Sequence, residues 1–424
     1  MSMTALLRHR LIQNVATNYL SVVWLGGIAL ALIPWYAKLL GPQQWGLVAV
    51  CISLQGIMAL LDAGLTQVMP RDIARAFAHS KEDGARTFHV FSRAYLVLGA
   101  IGCVLGQVAA PWIAVNWLRA TPEIMADATW ALRIVLLQFL FQFSNNAHIG
   151  YWNGTQAQAT ANFRQCLFVS AKHVGALTLI NFWQESVLAY LLSFAIFSAL
   201  EYFSNRGYLM RKIGQKGCSS VGLLELIALA RDSGVMAASV FVGMLISQMD
   251  RIVLSGYVSV AEFGRYVIVA NLGLAFMQLQ HPLVRAFLPK LVTAASGSMS
   301  NTIQQMGVSL VVLCVLPCMV VAVLAPQVLS LWIGDPTIVQ EGTVPLRLIL
   351  VAVAFNGLYQ IVYQRMLVYG LAGSILKINI IILVFVFPLS IFCVTKYGIN
   401  GGGMIWVTVS VLQIILGLFF TKKC

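Results

Sequence analysis

Leu132–Phe139 reads LRIVLLQF, and Leu346–Val353 reads LRLILVAV. Each phrase sets an arginine, Arg133 or Arg347, inside an apolar run long enough to cross a bilayer. A guanidinium near the bilayer interior costs roughly 2.5 kcal/mol or more unless something compensates it. A single case is explained by snorkelling to the headgroups. Two in matching phrases, 214 residues apart, point to a duplicated membrane architecture.

Composition agrees. Of 424 residues, 59% are hydrophobic and 10% charged, and the mean hydropathy is +0.84. A soluble protein of this size has no interior large enough for that apolar surface, so the chain reads as a polytopic membrane protein. Met1–Arg10 is basic, and the apolar run that follows is too long for a signal-peptide core. The first helix is therefore expected to act as an uncleaved anchor. The net charge of +13 is scattered between apolar runs. No basic domain or aromatic–basic module is visible, which argues against a nucleic-acid partner. The eight cysteines have no metal-ligand spacing, and Cys314/Cys318 in CVLPC reads as helix packing. No cofactor is implied.

A hydrocarbon core of ~30 Å needs ~20 residues of helix, which yields twelve spans at about 12–36, 44–66, 88–109, 126–150, 162–181, 186–206, 226–249, 260–283, 302–325, 342–366, 372–395 and 400–421. Connecting segments stay under about 25 residues, too short for a soluble catalytic domain. With the N-terminus inside, nineteen of the 27 Lys and Arg fall on the cytoplasmic side, from Arg8 to Lys423. Both termini are then expected in the cytoplasm.

The chain repeats itself. Leu39-Leu40-Gly41 returns as Leu254-Ser255-Gly256, and Ala110-Pro111 with Trp117 returns as Ala325-Pro326 with Trp332. Arg71 and Arg285 differ by 214, like Arg133 and Arg347. An offset of six spans is even, so both halves enter the membrane from the same side, as parallel repeats. The expected fold is an all-α, twelve-helix membrane protein in two six-helix lobes. Residues 1–206 form one lobe, 207–225 a cytoplasmic linker and 226–424 the second lobe.

LLGPQQWGL (39–47), LDAGLTQVMPRDIAR (61–75), QMDRIVLSGY (248–257), EFGRY (262–266), PLVRAFLPKL (282–291) and LWIGD (331–335), with Asn18 in the first helix, carry a resemblance. In their order and spacing the chain resembles the bacterial polysaccharide/O-antigen flippases of the multidrug/oligosaccharidyl-lipid/polysaccharide exporter superfamily. The resemblance runs over nearly the whole chain. It implies a non-enzymatic inner-membrane flippase, working by alternating access. Its substrate would be an undecaprenyl-pyrophosphate-linked oligosaccharide, moved from the cytoplasmic to the periplasmic leaflet. It further implies membrane lipids, a polysaccharide polymerase and a chain-length regulator as partners.

A diphosphate substrate suits fixed positive charge in a cavity, arginine above all. Arg133 and Arg347 are candidates, with snorkelling as the alternative. Lys172 lies mid-span in the fifth helix, where it must pair internally or face water. Arg71 and Arg285 are placed at the cytoplasmic mouth, where they either meet phosphate or set topology. Asp62 and Asp250 are candidates for ion coupling, with ion pairing or capping as the plain alternative. Gln142, Ser144, Asn145, Asn146 and His148 either hydrogen-bond sugar hydroxyls or bind helix to helix. Gly401-Gly402-Gly403 reads as a loop into the last helix. Two rival functions stand beside the flippase. A multidrug or cation antiporter would be expected to have an acidic or neutral cavity. A membrane glycosyltransferase or O-antigen polymerase would need a large loop or an acidic cluster.

Overall fold

A computed structural model of the chain describes residues 3–62, 64–213, 234–280 and 299–421, with positions 283, 284, 287 and 291 besides. Helix runs through nearly all of them, and no strand occurs among the described residues. The chain divides into two compact units, Met1–Ala237 and Ala238–Cys424.

The first unit opens with α1 (Met3–Met58), which is interrupted at Gly41, where φ is 72° and ψ 171°. A Cβ is strongly disfavoured there, and Pro42 follows at a position whose N–H no helix needs. The break matters for length. Leu20–Asp62 holds 43 residues of membrane-compatible helix, about 65 Å at 1.5 Å per residue and twice a bilayer core. Gly41 turns it into two spans. The unit continues with α2 (Leu65–His79), α3 (Lys81–Trp112), α4 (Met125–Gly154), α5 (Gln158–Phe182) and α6 (Val187–Ile213). Ser80 caps α3 by accepting from the Asp83 N–H, with Glu82 and Asp83 in the first turn.

The second unit contains α7 (Gly234–Ser247), α8 (Met249–Tyr257), α9 (Val260–Ala275), α10 (Met299–Leu310) and α11 (Leu316–Val323). It closes with α12 (Ala325–Trp332), α13 (Pro336–Val368), α14 (Ala372–Tyr397) and α15 (Ile399–Thr421). Ser259 and Glu262 form a reciprocal capping box on α9, and Asp335 caps α13 ahead of Pro336.

Among the described residues, eight helical stretches are long and apolar enough to cross a membrane. Counting α1 as two and joining α7 to α8 and α10 to α11, the helices follow the order of the twelve expected spans. The protein is a multi-pass membrane protein. Large apolar side chains face outward, Val108 at 78% and Phe182 at 88% exposure among them, as lipid allows and water would not. Trp35, Trp112 and Trp183 are exposed near the ends of the first, third and fifth spans, positions where membrane proteins are enriched in tryptophan.

Both units use the same pairings of helices. In the first, the third span packs on the fourth (α3 on α4), the fourth on the sixth (α4 on α6) and the fifth on the sixth (α5 on α6). In the second, α11 packs on α13, α13 on α15 and α14 on α15. The first spans also meet the fifth, as α1 on α5 and α8 on α14.

Three expectations change. The segment after Asp62, read as a cytoplasmic loop, is the helix α2, whose Leu65, Met69 and Ile73 are buried against Phe88, Tyr95 and Tyr151. Gly401–Gly403 is not a loop but the first turn of α15, fully buried. A Cβ at Gly401 would lie 2.6 Å from the Cys393 backbone, and one at Gly402 would lie 2.6 Å from the Tyr266 ring. Glycine alone admits that approach. Finally, α6 extends to Ile213, so the first part of the expected 207–225 linker is helical. Residues 214–225 of that linker lie outside the described residues.

Candidate functional site

The first unit holds a buried polar network across α4, α5 and α6. Lys172 Nζ donates to Glu201 Oε2 at 2.9 Å, and both side chains are nearly inaccessible. Asn145 Nδ2 donates to the other carboxylate oxygen, Oε1, at 2.9 Å. Asn205 Nδ2 donates to Asn145 Oδ1 at 2.8 Å, and His148 Nδ1 lies 2.9 Å from the same atom. Arg164 extends the chain, its Nε donating to Asn205 Oδ1 and its Nη2 to Ser204 Oγ. Separating a buried charge from its partner is strongly unfavourable, so these bonds bind three helices together.

Lys172 therefore has a partner inside its own unit, and Glu201 is the residue that the sequence reading missed. The signal existed. Glu201 is the one acid within α6, and a mid-span lysine requires a counter-charge. Asn145, weighed as a sugar ligand, serves here as a link between helices, while His148 bonds to Asn145 within α4. His173 stacks on Tyr36, whose hydroxyl lies 3.2 Å from His173 Nδ1. Asn18 joins the first span to the fifth, donating to Gln158 Oε1 at 2.6 Å and accepting from Asn162.

Asp62 is buried at the turn into α2 and fully engaged. Tyr95 Oη donates to its Oδ1 at 2.7 Å, Thr66 Oγ1 to the same oxygen at 2.6 Å, and the Thr66 N–H to Oδ2 at 3.2 Å. Asp250 is different. It is 1% exposed and takes one hydrogen bond, from Tyr266 Oη to Oδ2 at 2.6 Å. Its Oδ1 is buried with no donor among the described residues. The neighbouring Arg251 turns its Nη2 to Asn271 Oδ1 at 2.8 Å.

The paired arginines occupy matching crossings. In the first unit Gln107 Nε2 donates to the Arg133 carbonyl at 2.9 Å, and the Arg133 guanidinium lies 5.2 Å from the Trp130 ring centre. In the second, Arg347 Nε donates to the Ala322 carbonyl at 3.0 Å. Position 322 is 107 displaced by the repeat offset of 215. The same helices meet at the same level, with the donor moved to the opposite helix. Arg133 is half-buried and Arg347 exposed, and neither is ion-paired with a described residue. Arg71 lies on the exposed face of α2 beside Asp72, at 3.6 Å. Arg285 lies outside the described residues.

Two units of six spans each, with the same helix pairings in both, define a multi-pass helical membrane protein with an internal repeat. No family model matches the chain. A putative O-antigen transporter of Shigella flexneri is 22% identical over 401 residues, covering 94% of each chain. The lipid II flippase MurJ, in an inward closed conformation, has a TM-score of 0.77 at 14% identity, covering 97% of this chain and 87% of that one. An inward-facing multidrug resistance MATE family transporter of the MOP superfamily has a TM-score of 0.70 at 16% identity, covering 96% and 92%. The chain shares the fold of these two solved transporters, and its sequence is similar along nearly the whole length to the putative O-antigen transporter.

Proposed function

We propose that the protein is a flippase for a lipid-linked oligosaccharide. It carries a polyprenyl-pyrophosphate-linked repeat unit from the cytoplasmic to the periplasmic leaflet of the inner membrane by alternating access. The observation that carries the reading is the end-to-end likeness to a putative O-antigen transporter. The likeness to a lipid II flippase supports the same class of cargo. The charge at membrane depth is of the right sign. Arg133 and Arg347 have no acid partner among the described residues and remain available to a diphosphate. No chemical transformation of the cargo is part of this reading.

The MATE likeness favours a second reading, export of a small cation on the same fold. A cation carrier needs free acids in its cavity, whereas Asp62 is hydrogen-bonded by three donors. Asp250, with one oxygen that has no donor among the described residues, is better suited to take a proton or sodium ion that drives the cycle.

Complementation of a flippase-null strain tests the proposal. Arg133→Ala and Arg347→Ala are expected to abolish surface polysaccharide while membrane abundance stays near normal. Lysine at either site should restore part of the activity, because charge returns without the bidentate fork. Full polysaccharide from both alanine variants would overturn the assignment of these arginines to the substrate.

A further inference from the structure

Within the first unit, at the end of α5 and α6 that bears Arg206, Arg211 and Lys212, lies a pocket of about 750 Å³. Arg164, Phe203, Ser204, Tyr208, Arg211 and Lys212 line it. With Gly207 these make seven lining residues, of which three are cations and none is an acid. Two are exposed aromatic rings, Phe203 at 58% and Tyr208 at 42%.

Arg164 is the fixed element. Its Nε and Nη2 are held by Asn205 and Ser204, and its guanidinium lies 5.4 Å from the Tyr208 ring centre and 6.0 Å from that of Trp152. Asn205 is itself buried and bonded through Asn145 to the Glu201–Lys172 pair. A surface arginine that merely snorkels has no such anchor. Here the conformational entropy of the guanidinium is already lost before any ligand arrives, which favours binding. Nη1 takes part in neither of the two hydrogen bonds. Arg211 and Lys212 are exposed and add charge without using it on a described acid.

The surroundings select an amphiphile. Ile196, Leu200 and Phe203 are exposed along one face of α6 at helical spacing, and Phe203 also lines the pocket. An apolar strip thus runs from the basic mouth into the depth of the membrane. The positive-inside rule assigns this end to the cytoplasmic leaflet, whose anionic lipids carry phosphodiester headgroups. We propose that the Arg164–Arg211–Lys212 pocket is a headgroup site for an anionic glycerophospholipid, with an acyl chain along Ile196, Leu200 and Phe203. The site is separate from the arginines assigned to the transported substrate and does not depend on that assignment.

Native mass spectrometry of the full-length protein in detergent provides the test, with phosphatidylglycerol and phosphatidylcholine of equal chain length. Phosphatidylglycerol should be retained in preference to phosphatidylcholine. The double variant Arg211→Gln/Lys212→Gln should weaken that retention by on the order of tenfold or more. Arg164 is left intact because it also ties α5 to α6. A charge-matched control, Lys81→Gln/Lys377→Gln, removes two exposed lysines elsewhere and should leave retention unchanged. Inorganic pyrophosphate at millimolar concentration should not displace the lipid. Equal retention of the two lipids would overturn the proposal, as would an equal loss in the control. Complete displacement by inorganic pyrophosphate would also overturn it, because the site would then recognise a free anion and not a lipid.

Discussion

The two units share a plan and differ in its chemistry. Where the second span meets the fourth, the first unit uses a neutral amide donor on a carboxylate, Gln44 Nε2 donating to Asp127 Oδ2 at 3.0 Å. At the matching place the second unit has an ion pair, Arg265 Nε to Glu341 Oε2 at 2.7 Å. Where the fifth span meets the sixth, the order is reversed. The first unit has the buried Lys172–Glu201 pair, while an offset of 215 lands on Phe387 and Leu416. Helix pairing has been kept while the polar groups drifted, because packing depends on helix position and a hydrogen bond depends on two particular side chains. Charge that differs between copies is where specialised roles are to be sought.

Breaking the buried pair should separate the units most clearly. Glu201→Leu leaves Lys172 as an uncompensated buried cation, a cost of about 3–5 kcal/mol. Thermal unfolding in detergent, followed by fluorescence size exclusion, should show a severe loss for this variant. The double variant Lys172→Met/Glu201→Leu mimics the apolar second unit and should recover most of it. If the double variant is as unstable as the single one, the pair is not the source of the loss.

The two acids give the next contrast. Asp62→Ala removes the acceptor for three donors and should cost about 1–3 kcal/mol, visible as reduced abundance. Asp250→Asn keeps the shape and the Tyr266 bond but cannot carry a proton or a cation charge. Its abundance should stay near normal while surface polysaccharide falls. Equal behaviour of the two variants in both assays would remove the distinction between a structural and a coupling carboxylate.

A smaller or similar effect is expected at the start of the sixth span of each unit. Val187 occupies the first unit where the second has Gly402, and Val187 N–H donates to Gln44 Oε1 at 3.0 Å. Gly402→Ala would press on Tyr266 and Leu254, a strain of about 1–3 kcal/mol in a packed core. Since Tyr266 holds Asp250, the same change should lower transport. Transport unchanged in a stable Gly402→Ala protein would disconnect the glycine from that hydrogen bond. The least effect should come from Arg265→Gln. The Glu341 side chain is 39% exposed, so the pair is worth at most about 1 kcal/mol. A double-mutant cycle with Glu341→Gln measures it directly.

Much of the membrane architecture could be read in the chain, since hydropathy and repeated phrases are local properties. The exceptions are instructive. The helix α2 was legible as Leu65, Met69 and Ile73 at four-residue spacing, but its mean hydropathy is too low to register as a span. The glycine triplet looks like a loop because its use lies in the neighbours: Cys393, Tyr266 and Leu348 crowd the three positions in turn. Nothing within the triplet announces them.

The candidate site divides in the same way. The sequence by itself determined that Lys172 could not stand alone in the membrane and that Arg133 and Arg347 were copies of one position. Only the tertiary structure decided that Lys172 would be met by Glu201 and that Arg164 would be joined to the same network. It also decided that Asp250, and not Asp62, would keep an oxygen without a donor among the described residues. The desolvation cost is set by burial and is visible from composition and position. Its compensation depends on which side chains of other helices come within about 3 Å, a distance only packing determines.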